Sequence, residues 1–398
     1  MTDLDYKTLE SAIAGSACAF RSRTRLQPAD GPGGKVFPPT HLEGKYALEE
    51  RVLQTVDGEP KRVQCVLLDS VQSHANRCEE ALQLAIDREQ IELPLILVDF
   101  GGAKDELVDP VDRITSLEAP HRISDAILRD SELDGVAFRK TDLGHRLDYA
   151  SLKNATPLLD LCPHALLFGI WDSTGPKGGL GVKFQRSLVG EITGYDVSAG
   201  VKTASRIDPL QIVSAAQVVE KKDGTWDLAK EKDKNAKKPS EINHGNIPPT
   251  IEDGGVTMAY AEHSVVLSLP AIRRLRFPID GEYSLERDNA GRTLIAALGL
   301  LSVALATEQG FDLRSRCLLW PESQIEFELL DQPGAEPKRF TLDSNQAIEI
   351  YNAAIKGVND AGLPWRSEPV VLTPSKQLVK LVKASQEKTA ESIATADA

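Results

Sequence analysis

Polar and apolar positions alternate most sharply near the N-terminus, in residues 18–26 (CAFRSRTRL). Cys18, Phe20, Ser22, Thr24 and Leu26 share one face, and Arg21, Arg23 and Arg25 the other, which predicts a strand with one cationic face. Residues 27–40 are rich in Pro and Gly and predict a loop. Residues 62–69 (RVQCVLLD) predict a second strand, apolar enough to be buried on both faces. A helix is predicted over about 75–90, because Cys78, Ala81, Leu82, Ala85 and Ile86 recur at i, i+3, i+4, i+7 and i+8. The runs 93–100 (LPLILVDF) and 165–171 (ALLFGIW) read as strands that lead into glycine turns, and 256–269 carries further strand-like pattern.

Two later helices stand out. In 291–310 the stripe Leu294, Leu298, Leu301 and Leu305 is bounded by Asp288 or Asn289 as N-cap and Gly310 as C′ residue. In 342–358 the apolar face is Ala347, Ile350, Tyr351, Ala354, Ile355 and Val358. The stretch 220–249 mixes seven lysines with six acids and has too few large apolar residues to order itself, so a mobile insertion is expected there. Residues 375–398 read as a polar, disordered tail. Strands and helices intermix irregularly, which favours an α+β fold with insertions over a regular βαβ array. At 398 residues, one elaborated domain and two domains are both open.

Composition fits a soluble globular chain: 41% hydrophobic and 26% charged residues. Cys18, Cys65, Cys78, Cys162 and Cys317 are scattered and odd in number, as expected of free thiols in a reducing cytoplasm. Neither a secretory leader nor a membrane span is read from the pattern. The net charge of −13 argues at first against nucleic acid, but phosphate binding depends on local cations. Residues 79–112 hold ten acids against Arg88 and Lys104, a net of −8. Residues 21–35 and 177–206 each carry a net of +3. Charge is segregated, although each patch alone could be a solvated face.

Residues 172–183 (DSTGPKGGLGVK) form a glycine cluster flanked by Lys177 and Lys183, able to turn backbone N–H groups toward an anion. The cluster lacks the Gly-Lys-Ser/Thr of a Walker loop and the dinucleotide-binding spacing. Asp99-Phe100-Gly101 and His145-Arg146-Leu147-Asp148 imitate kinase loops in the wrong order. His74 with Cys78, and Cys162 with His164, find no second pair at zinc spacing. No catalytic residue, metal ligand or cofactor is nominated.

Six segments resemble one family: 33–39 (GGKVFPP), 66–77 (VLLDSVQSHANR), 122–131 (RISDAILRDS), 167–175 (LFGIWDSTG), 178–186 (GGLGVKFQR) and 312–317 (DLRSRC). It is the backbone RAMP subunit of type I-G (formerly I-U) CRISPR systems, the seventh Cas family in its type I-G form. The resemblance implies an RRM-like (ferredoxin-like) palm with inserted finger and thumb elements, making residues 1–374 one domain. It implies a non-catalytic subunit whose copies wrap a guide RNA and support its pairing with a target DNA strand. The large subunit and the guide-end capping or processing subunit are the further partners implied. A RAMP-type endoribonuclease and a nucleotide-dependent enzyme built on the 175–181 loop are the competing readings. A subunit that holds any spacer sequence needs contacts to phosphate and 2′-OH rather than to base edges. The expected RNA contacts are therefore Arg21, Arg23, Arg25 and Lys35; Gln72, Asn76 and Arg77 at a helix N-terminus; and Lys177, Gly178, Gly179, Lys183, Phe184 and Arg186.

Overall fold

A computed structural model of the chain describes residues 4–54, 58–173, 181–221, 225–230 and 233–396. The chain opens with α1 (Tyr6–Ala14), capped by the Asp5 carboxylate on the Thr8 amide at 2.8 Å, and enters β1 (Ala19–Pro28). The ribbon β2 (Leu48–Gln54) and β3 (Pro60–Asp69) leads to α2 (Val71–Asp87), N-capped by Ser70. Short elements follow: β4 (Ile96–Asp99), β5 (Arg113–Thr115), α3 (Ala126–Arg129), β6 (Ser131–Leu133) and β7 (Val136–Ala137). After them come α4 (Asp142–Asp148), α5 (Thr156–Leu161), α6 (His164–Phe168), β8 (Ile170–Trp171) and β9 (Lys183–Phe184).

The second half begins with β10 (Leu188–Tyr195) and a long exposed arm, β11 (Ser198–Arg206) paired with β14 (Ile247–Thr257). Within the arm's tip lie β12 (Val218–Glu220) and β13 (Trp226–Leu228). Then come β15 (Tyr260–Ser268), α7 (Leu269–Arg273), α8 (Leu285–Glu308), β16 (Phe311–Arg314), β17 (Cys317–Pro321), β18 (Phe327–Leu330) and β19 (Lys338–Phe340). The chain closes through α9 (Ser344–Asp360), β20 (Val370–Pro374) and α10 (Lys376–Ala396).

The fold is mixed α+β, as the pattern predicted, and two sheets organise it. The larger sheet runs β16-β17-β1-β15-β10-β3-β2, every pair antiparallel, with β18 also on β1 and β19 on β18. The smaller runs β5-β4-β20-β6-β7, with β4 and β20 parallel. One continuous apolar core joins α1, α2, α8 and α9 to both. By length and composition α8 could cross a membrane; here it is the central core helix, with 83% of its most apolar window buried.

Several expectations shift. Residues 165–171 form helix and then strand, because Gly169 at φ 84° ends α6 and lets β8 begin. A short apolar run does not distinguish the two by periodicity. The N-cap of α8 is Ser284, one turn before the expected position. The stretch expected as a disordered tail from residue 375 contains α10. Its Val379 is buried, and its Gln386 side chain accepts from the Val108 and Asp109 amides and donates to the Asp109 carbonyl. In the described part of 220–249, Lys237 bridges back to Val218, and its ammonium meets Glu220. Cys18 is exposed, whereas the other four thiols are buried.

The helical layer meets the sheet through two imidazoles. His74 of α2 and His263 of β15 are 6% and 3% exposed, with their Nε2 atoms 2.9 Å apart. Gly190 of β10 is required beside them, because a Cβ there would run into the His74 ring. Asp69, Arg77 and Cys78 are the neighbouring titratable groups. Burial pushes His74 down to about 4 and His263 well below its ordinary value. Both imidazoles are therefore neutral when folded and take up protons near pH 6.5 when unfolded. Stability from His74 is complete above pH 6.5 and is lost as pH falls toward 4. Between pH 7 and pH 5 the loss for His74 is on the order of 2 kcal/mol, measurable by urea unfolding. His74→Gln should start less stable and lose less across that interval; parallel losses in the two proteins would refute the assignment.

Candidate nucleic-acid interface

The arginine strand forms as its alternation predicted. Phe20, Ser22, Thr24 and Leu26 are buried, and Arg21, Arg23 and Arg25 lie on the open face of the sheet. That face is an ion-pair lattice. Arg21 sits opposite Glu328 and donates to it at 2.6 and 2.9 Å. Arg23 reaches Glu262 at 2.8 Å, and Arg51 holds Glu191 at 3.0 Å. Arg25 lies 4.2 Å above the Tyr260 ring, which stacks on Tyr195 at 5.1 Å. Tyr195 is only 7% exposed, so this pair is a packed layer with little area for a base.

Two other expected contacts are engaged elsewhere. Lys35 donates to the Val201 carbonyl at 2.6 Å, at the root of the β11–β14 arm. Arg77 is turned to the Leu313 and Asp312 carbonyls and to Asp69. Lys177, Gly178 and Gly179 lie outside the described residues.

The remaining five come together. Gln72, Asn76, Lys183, Phe184 and Arg186 line one cleft of about 740 Å³, with Arg122, Arg129, His121 and Trp171. None of its lining residues is acidic, although the whole chain has a net charge of −13. Phe184 is 4% exposed and belongs to the core, so it supports the wall without offering a stacking surface.

Arg122 fixes the back of the cleft. Its Nε and Nη2 donate to the two oxygens of Glu79 on α2 at 2.6 and 2.7 Å, and Nη1 donates to the Gly169 carbonyl at 3.1 Å. The side chains are 8% and 3% exposed, and the guanidinium lies 5.5 Å from the Phe168 ring centroid. Arg122 adopts φ 52°, left-handed backbone that costs roughly 1–2 kcal/mol for a non-glycine residue. The bidentate clamp holds it there. Arg129 is engaged by the adjacent Asp130 at 2.8 and 2.9 Å.

Lys183 and Arg186 differ from both. Neither has a carboxylate partner among the described residues. Arg186 donates through Nε to the Phe168 carbonyl at 3.1 Å. Burial, and then the charge of Arg122 nearby, push its guanidinium below the ordinary value, with Glu79 opposing them only in part. Lys183 Nζ lies 5.2 Å from the centre of the Trp171 ring. The wall that carries them is fixed below by Asp172, which is 4% exposed and accepts from Arg139 at 2.7 Å.

Sequence reasoning missed Arg122, Arg129, His121 and Trp171 as cleft residues. The legible signal for Trp171 was its place next to Ile170, which period-two alternation sends to opposite sides of a ribbon. Arg122 gave no such signal, since its partner Glu79 lies 43 residues away. Among the described residues no group of three or more His, Cys, Asp or Glu side chains could hold a metal ion.

Removing one member of the Glu79–Arg122 pair strands a charge in the interior. Glu79→Ala should cost ~3–5 kcal/mol in urea unfolding, whereas Glu79→Leu with Arg122→Met should recover most of that loss. Equal stability of Glu79→Ala and the parent would show that the pair does not hold the cleft.

No curated protein matches the chain. Residues 20–199, which include every described residue that lines this cleft, match the model of the family described as CRISPR-associated protein GSU0053 (Cas_GSU0053).

Proposed function

We propose that the chain is a non-catalytic RNA-binding backbone subunit whose copies line up along a CRISPR guide RNA in a type I-G effector complex. The observation that carries this reading is the cleft where, in a strongly acidic chain, Lys183 and Arg186 have no carboxylate partner and no acidic residue lines the wall among the described residues. An acidic surface repels a polyanion except where cations are gathered, so the field guides RNA toward Lys183 and Arg186. Gln72 and Asn76 add amides that suit phosphate oxygens and 2′-OH groups, contacts without sequence preference.

The strand order β17-β1-β15-β10, with α2 and α8 packed on the sheet, supports an RRM-like palm of the RAMP type. In this reading the β2–β3 ribbon and the β11–β14 arm are the insertions. The guide then reads the target DNA strand by pairing, and the protein holds the heteroduplex by its shape. Neighbouring copies, the large subunit and the guide-end capping or processing subunit complete the partners, in the cytoplasm.

The test is to purify the protein from cells carrying the CRISPR array, sequence the bound RNA and incubate it with magnesium. Intact array-derived RNA is expected. The variant carrying Lys183→Glu and Arg186→Glu should bind single-stranded RNA more weakly whatever its sequence. Its slope of log affinity against log salt should flatten by roughly 0.7 for each phosphate that the variant no longer neutralises. Absence of array-derived RNA, or unchanged affinity in the variant, would overturn the reading. Magnesium-dependent cutting would favour the RAMP-type endoribonuclease instead.

A further inference from the structure

β8 and β9 form a two-residue antiparallel ribbon in which Ile170 faces Phe184 and Trp171 faces Lys183. Alternation divides the ribbon cleanly. Ile170 and Phe184 are 8% and 4% exposed and enter the core. All four residues touch the cleft, but Trp171 and Lys183 turn the other way and are the two that stay exposed in it. Trp171 is left 56% exposed, although a tryptophan gains more from burial than most side chains. Trp226 and Trp320 are exposed as well, but neither lines this cleft.

Three constraints hold the indole in place. Its strand neighbour Ile170 is anchored in the core, and its cross-strand partner Lys183 places an ammonium over the ring at 5.2 Å. At the end of the ribbon, the Asp172 amide donates to the Val182 carbonyl at 2.8 Å, while the Asp172 carboxylate is fixed by Arg139. A rigid aromatic face next to two cations without carboxylate partners matches the two halves of one nucleotide. The base supplies a π-face, and the flanking phosphates supply charge for Lys183 and Arg186.

We infer that Trp171 is a stacking platform for one unpaired base of a single-stranded RNA whose adjacent phosphates lie on Lys183 and Arg186. The inference rests on the RNA reading above and adds to it a site that engages the base itself. Stacking accepts all four bases, since each has a π-face, so the contact does not conflict with a guide of arbitrary sequence. It also holds one base at a fixed point of every subunit, whereas purely electrostatic phosphate contacts let a strand slide.

The experiment compares the full-length chain with Trp171→Ala and Trp171→Phe. Each is titrated with a short fluorescent oligoribonucleotide and with the same backbone made abasic throughout. Trp171→Ala should weaken binding of the normal oligonucleotide by about fivefold to a hundredfold, the range typical of base–aromatic stacking. Trp171→Phe should restore most of the affinity. On the abasic backbone the three proteins should bind alike, a result that a merely structural role would not give. Equal binding of normal RNA by Trp171→Ala and the parent, or the same weakening on both backbones, would overturn the stacking site and leave the RNA reading standing. Binding of neither oligonucleotide by the parent would overturn both.

Discussion

Glu79 and Arg122 meet with only 3% and 8% of their side chains exposed, and the shape of the cleft follows from how that contact is made. A carboxylate and a guanidinium taken out of solvent need each other and need their remaining donors satisfied. Glu79 comes from the middle of α2, Arg122 from a turn 43 residues later, and the leftover donor finds the Gly169 carbonyl at the end of α6. Three separate segments are thus drawn to one point by a requirement of electrostatics. The same contact neutralises Arg122, so the cleft's free charge comes from Lys183 and Arg186 and not from the arginine at its back.

This division between engaged and free cations runs through the whole molecule. On the open face of the sheet, Arg21 and Arg23 each hold a carboxylate from a neighbouring strand, and Arg51 of β2 reaches across β3 to Glu191 of β10. Exposed pairs of this kind contribute little stability, about 0–1 kcal/mol each, yet they cancel the field that the arginine row alone would create. A polyanion approaching that face meets three paired guanidiniums and Arg25 packed on Tyr260, whereas one approaching the cleft meets Lys183 and Arg186, which have no carboxylate partner among the described residues. The difference in field between the two faces is set by partners, not by how many arginines each contains.

That distinction also marks how far the sequence could be read. The alternation in 18–26 predicts β1 and the side on which its arginines lie, and the stripes in 75–90, 291–310 and 342–358 predict α2, α8 and α9. These are local patterns, visible because each element buries one face. Which arginines keep a free guanidinium is decided by residues far along the chain: Glu328 is 307 residues from Arg21, and Glu262 is 239 from Arg23. The helix α10 was illegible for a related reason. Its apolar residues that pack on the core, Leu378, Val379 and Val382, lie in the first two turns, and the more polar remainder is tied down by Gln386 reaching the backbone of residues 108 and 109. The blocks 122–131, 167–175 and 178–186 that carry the resemblance each contribute residues to the lining of the cleft. Local pattern then left Trp171 and Arg122 unmarked within them.

One backbone position finally connects the two arginines of the cleft. The short helix α6 ends with carbonyls that have no partner in the helix, and such ends attract cations. The Phe168 carbonyl accepts from Arg186 Nε and the next carbonyl, Gly169, accepts from Arg122 Nη1. Consecutive carbonyls can diverge in this way because Gly169 takes φ 84°, which turns the chain sharply out of the helix. A side chain at 169 would also lie 3.0 Å from Arg186 Cγ and from the Arg186 amide, so the arginine packs directly against bare backbone. Two like charges can be kept this close only because one is neutralised by Glu79 and the other is left facing the cleft. The placement of Arg186, held by the Phe168 carbonyl and without a carboxylate partner among the described residues, is therefore a consequence of how α6 ends, and an anion in the cleft would supply a direct counter-charge.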